Sequence, residues 1–101
     1  SCSVTTDPCV TPESFIERWW RITQPAGLDE NCYLFSEDGF LVQRDSEGNN
    51  TPMSAWSAVN EECLREIYSD LGDLEVYGWD ADECISAEYG STDVTLCECL
   101  P

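Results

Sequence analysis

After Thr11-Pro12-Glu13, the apolar residues Phe15, Ile16, Trp19, Trp20 and Ile22 recur at three- and four-residue spacings. That period predicts an amphipathic helix, with Thr11 as N-cap, Pro12 at its first position and Glu13 in its first turn. Glu17 and Arg21 form a favourable i,i+4 pair on its polar side. Read as a strand, "RWWRIT" would put Arg21 on the side of Trp19, so the helix is the better fit. Pro25 and Gly27 end it. A second helix is predicted over 61–71, capped by Asn60 and stopped by Gly72, with Cys63, Leu64, Ile67, Tyr68 and Leu71 as its apolar stripe.

Between the two helices the period shortens. "CYLFSEDGFLVQR" reads as a hairpin, strand 32–37 pairing with 40–44 through a two-residue Asp38-Gly39 turn of type I′, in which both positions need positive φ. "DSEGNNTP" is a surface loop and "MSAWSAV" a third strand. "LEVYGW", "CISAEY" and "DVTLCECL" supply the rest. The expected architecture is α+β: a largely antiparallel sheet of five or six short strands covered by two amphipathic helices. Residues 1–10 form a polar arm and 11–101 one globular domain. The stretch from "WWRIT" to "YLFSEDGFLV" faintly resembles the opening of small lipocalin-like barrels. That likeness spans under a third of the chain, has no defining motif and runs against the helical spacing around Trp19, so the family is not assigned.

The closing "LCECLP" raises the question of cysteine pairing. In a strand, Cys97 and Cys99 point to one face about 7 Å apart, whereas bonded Cβ atoms lie near ~3.8 Å. They are therefore expected to bond to separate segments, with Cys63 and Cys32 as suitable partners. Val94, Leu96 and Leu100 pack on the opposite face. The seven cysteines are Cys2, Cys9, Cys32, Cys63, Cys84, Cys97 and Cys99. At least three bridges are expected, and the odd cysteine is a buried thiol, a cross-link to another chain or a lipid attachment point. The arm's Cys2 or Cys9 is the first choice for it. Such cysteine density points to an oxidising compartment, and Ser1-Cys2-Ser3 has the look of a mature start after an export signal.

Charge narrows the partners. Twenty-one acids face four arginines, a net charge of −17, without a lysine or a histidine. Such a surface repels nucleic acid and anionic lipid, and no apolar run is long enough for a membrane helix. Histidine-dependent catalysis and lysine Schiff-base chemistry are excluded. Paired carboxylates occur by chance among so many acids, so a non-enzyme is expected, with a small hydrolase as the least favoured class. Oxygen-rich loops make Ca2+ the one cofactor to weigh, through Asp45, Glu47, Asp80 and Asp82, although neither loop has the twelve-residue calcium pattern. Asn49-Asn50-Thr51 is a glycosylation triplet, weakened by Pro52. Of Trp19 and Trp20, one is expected in the core and the other to point away as a possible interface anchor. The functional expectation is an exported, self-associating structural subunit, a homo-oligomer or polymer of the cell surface or extracellular space. The alternative is a small secreted binding module, for an apolar ligand in a lipocalin-like barrel or for a basic protein.

Overall fold

A computed structural model describes residues 9–60 and 63–99, with only the backbone of Asn60. One short helix, α1 (Pro12–Phe15), precedes nine strands: β1 (Trp19–Gln24), β2 (Cys32–Phe35), β3 (Phe40–Arg44), β4 (Asn50–Ala55), β5 (Ser57–Asn60), β6 (Leu64–Tyr68), β7 (Leu74–Trp79), β8 (Ile85–Tyr89) and β9 (Thr92–Glu98). They form a single antiparallel sheet in the order β4-β3-β2-β1-β9-β8-β7-β6-β5. Each strand pairs with its neighbour in sequence except β4 with β5, and β1 closes on β9. The two edge strands are consecutive halves of residues 50–60, separated only by Trp56, so the sheet curls into a nearly closed barrel. The expected α+β sheet with two covering helices is thus replaced by an almost all-β barrel.

Both helix predictions fail for identifiable reasons. The first helix ends after one turn: Ile16 is already extended and Glu17 takes φ +66°. From there the aromatic and β-branched residues favour extension. Trp20 turns inward, 2% exposed, while Trp19 lies outside under the Arg44 guanidinium, 4.0 Å from its ring centre. Arg21 beside Trp19 is therefore no conflict, because that face meets solvent.

The second predicted helix contains β6, while Glu61 and Glu62 lie outside the described residues. In β6, Leu64 and Ile67 are both buried, three residues apart. Register explains the spacing: Val59 opposes Glu66 and the next residue, Asn60, opposes Leu64, so Arg65 is an extra residue in a bulge. The bulge resets the two-residue alternation and imitates a helical i,i+3 stripe. Similar insertions fall at Thr23 in β1 and Tyr77 in β7. Such bulges bend strands, which a small barrel requires.

The hairpin at 32–44 forms with a different turn. Gly39 N–H donates to Ser36 O (2.9 Å) and Ser36 N–H to Phe40 O (3.0 Å). Only Gly39 of the pair has positive φ, +88°. This is a type I turn closed by a glycine bulge rather than the expected two-residue type I′ turn. Asp45–Gly48 repeats the pattern.

Three disulfides fasten the sheet. Cys9 bonds Cys63, Cys32 bonds Cys99 and Cys84 bonds Cys97. Cys97 and Cys99 thus join different segments. The Cys32–Cys99 bridge joins the start of β2 to the residue that follows β9, and the Cys84–Cys97 bridge joins the residue that precedes β8 to β9. Cys63 pairs with the N-terminal segment instead of the last strand, and Cys9, a first choice for the odd cysteine, is bonded. Cys2 lies outside the described residues.

Candidate functional site

The two ends of the barrel are built differently. Residues 9–16 plug one end. Leu64 N–H donates to Val10 O (2.7 Å), the Trp20 indole N–H donates to Phe15 O (2.9 Å), and Val10 and Phe15 are 1% and 0% exposed. The Phe15 ring lies 4.6 Å from Phe35, 5.5 Å from Trp20 and 6.4 Å from Trp56 between ring centres. Trp79 adds its ring against Trp20 and donates to Cys9 O (3.2 Å). Residues 9 and 10, the end of the expected polar arm, are thus part of the plug.

Towards the other end the described residues leave the barrel unfilled. A cavity of ≈ 200 Å³ lies among inward side chains of five strands: Trp20 and Ile22 of β1, Tyr33 and Phe35 of β2, Leu74 of β7, Tyr89 of β8 and Leu96 of β9. Its outer boundary is Leu28 and Asp29 of the 25–31 loop and Leu71 of the β6–β7 turn. Leu28 is 46% exposed, a large apolar side chain held at the rim. Tyr89 donates its hydroxyl hydrogen to Leu71 O and seats its ring on the turn at Gly72. A Cβ at Gly72 would meet the Tyr89 ring at 2.8 Å, and φ there is +120°, so glycine is required twice over.

One ionisable pair marks the cavity. Tyr33 O–H donates to Asp29 Oδ2 (2.6 Å), and Asn31 N–H donates to Oδ1 (2.9 Å). Burial, helped by the hydrogen bond to Asp29, pushes the Tyr33 hydroxyl up to about 12. Among the described residues no basic side chain pairs with Asp29: the ion pair found there joins Arg18 to Glu98 (3.3 Å).

Two larger depressions are surface grooves. One, ≈ 690 Å³, runs over outward side chains of β6–β8 and carries Glu66, Asp73, Glu75 and Glu88. Nearby, Tyr77 is raised by desolvation and by the charges of Glu88, Glu75 and Asp93. The other, ≈ 530 Å³, lies between Arg21, Asp29, Glu30 and Asp45. Both share lining residues with the smaller cavity, Leu74 and Tyr89 in the first and Ile22 and Asp29 in the second, but their other lining side chains are mostly polar, so the smaller, mostly apolar cavity is the better ligand site.

No protein-family model, curated protein or solved structure matches the chain.

The residues singled out from sequence fall elsewhere. Asp45 and Glu47 lie in the β3–β4 turn, and Asp80 and Asp82 in the β7–β8 turn at the opposite end of the barrel. Asp45 Oδ1 accepts Glu47 N–H and Asn49 N–H, both at 2.9 Å. These bonds, Asn49's foremost, lower the Asp45 carboxyl below the usual range. Asp80 Oδ1 accepts Asp82 N–H (2.8 Å) and Cys84 N–H (3.0 Å). Both carboxylates thus tie down their own turns. Among the described residues no three acidic or cysteine side chains gather closely enough for a metal ion. Asn49 is exposed, and its side-chain amide donates to Asp45 Oδ2 (3.3 Å). Asp29, Tyr33, Leu71 and Tyr89 are not singled out as site residues by the sequence. The alternation of Tyr33 and Phe35 was a usable signal for inward side chains, whereas Asp29 was one acid among 21.

Proposed function

We propose that the protein is an exported binding module that holds a small apolar molecule inside its barrel. The observation that carries this reading is the unfilled apolar cavity above an aromatic plug. Protein interiors are close-packed, so an opening of this size beside a tightly packed end is a feature to explain. A dry cavity of about 150 Å³ takes up benzene. The space here, ≈ 200 Å³, suits one aromatic ring with a short side chain, or an aliphatic chain of about six to eight carbons. Three disulfides fit an extracellular protein, and among the described residues no helix is long and apolar enough to cross a membrane.

Calorimetric titration with phenethyl alcohol and hexanol tests the reading. One saturable site with a negative heat-capacity change is expected. Leu71→Trp, which brings an indole to the cavity rim, should weaken both ligands at least about tenfold without lowering secondary structure content. Absence of saturable binding, or equal binding in the folded variant, would overturn it. The self-associating subunit expected from sequence drew on the odd cysteine and on the arm of residues 1–10, of which residues 1–8, with Cys2, lie outside the described residues.

A further inference from the structure

The side chains of the cavity wall carry three polar hydrogens, and all are committed. Tyr33 O–H points to Asp29, Tyr89 O–H to Leu71 O, and the Trp20 indole N–H to Phe15 O. No arginine lines the space. The side chains of the wall therefore offer no free donor to a ligand carboxylate, phosphate or carbonyl. It does have spare acceptors. An ionised carboxylate has about four lone-pair sites, and Asp29 uses one on each oxygen. Asp29 is half-buried, borders the apolar space and makes no ion pair among the described residues.

Resting on the cavity reading above, we infer that the ligand carries a cationic amine that docks on Asp29 while its apolar body occupies the space between Trp20, Ile22, Leu74 and Leu96. The ammonium donates to the free Asp29 lone pairs, and such charge-assisted bonds are about twice as strong as neutral ones. The body displaces only weakly held solvent from an apolar wall. The net charge of −17 concentrates cations around the protein and disfavours fatty acids and other anions.

Three probes of similar size separate these terms: phenethylamine, phenethyl alcohol and 3-phenylpropionate, each titrated near neutral pH in about 0.15 M salt. The amine should bind at least about tenfold tighter than the alcohol, and 3-phenylpropionate should show no saturable binding. Asp29→Asn should bring the amine to within about twofold of the alcohol and change the alcohol itself less than about threefold, which also reports an intact cavity. Glu75→Gln, removing the same formal charge from the outer face of β7, should leave the amine's preference in place. Alcohol binding with no preference for the amine, or a preference that survives Asp29→Asn, overturns the amine assignment alone. If none of the three probes binds, the cavity reading falls and the amine assignment with it.

Discussion

The plugged end and the hollow end of this barrel are made from the same strands, and they differ in what enters between them. At the plugged end, residues 9–16 insert Val10 and Phe15 and are fastened by Cys9–Cys63. The rings of Phe15, Trp20, Phe35, Trp56 and Trp79 then fill the interior. At the hollow end none of the described segments enters. The 25–31 loop and the β6–β7 turn border the opening with Leu28, Asp29 and Leu71, leaving ≈ 200 Å³ empty. Stability is thus concentrated at one end, and the other can carry an imperfectly packed interior. Sites that bind ligands are commonly drawn from the less stable parts of a fold.

The largest expected effect of breaking this contrast is at Phe15. Phe15→Ala should cost about 3–5 kcal/mol, since the fully buried ring packs among three aromatic neighbours. Leu71→Ala, at the half-buried rim, should cost only about 1–2 kcal/mol. Denaturant unfolding of the two variants measures the difference directly, and equal costs would mean that the ends are not energetically distinct.

Removing the plug's covalent tether should have the next largest effect. Replacing both Cys9 and Cys63 with Ser opens a loop of 54 residues and should cost roughly 2–4 kcal/mol. Affinity of the cavity for phenethyl alcohol should change less than about threefold if the ends are independent, because additivity holds for distant sites. Hydrogen exchange should accelerate first at Leu64, whose amide is bonded to Val10.

The smallest effect is a titration at the hollow end. Tyr33 has an ordinary value of 10.0 and a folded value of about 12, so folding favours its neutral form. The associated stability is fully present below the ordinary value and is lost as pH rises through the folded one. The loss should reach at most about 2 kcal/mol. Unfolding measured from pH 9 to 12 should show a steeper fall for the native protein than for Tyr33→Phe. Identical slopes would remove Tyr33 from the alkaline transition.

Several features were legible because they depend on neighbouring residues alone. The Asp38-Gly39 reversal lies between strands at the expected place, because glycine supplies a positive φ whichever turn forms, although the turn type depended on one further residue. Cys97 and Cys99 go to different segments because strand geometry separates their Cβ atoms on one face. The strands β7, β8 and β9 follow from plain alternation and turn residues. The helices were misread because the bulge at Arg65 places Leu64 and Ile67 at a spacing that local periodicity cannot distinguish from a helix, and because "FIERWW" combines one real helical turn with the start of a strand.

By itself the sequence determined an acidic, cysteine-rich chain with turns at most of the right places and a chemistry stripped of histidine and lysine, all properties of composition or of residues a few positions apart. Only the tertiary structure decided that the sheet curls, since β1 and β9 meet across some seventy residues (Arg21 opposite Cys97), and pairing at that distance depends on the summed twist and bulges of every strand between. The same closure selects Asp29 from 21 acids. It brings the carboxylate to a cavity wall shared between residues 20–35 and Leu71, Leu74, Tyr89 and Leu96 of the far half of the chain, and places it where every side-chain donor is already taken.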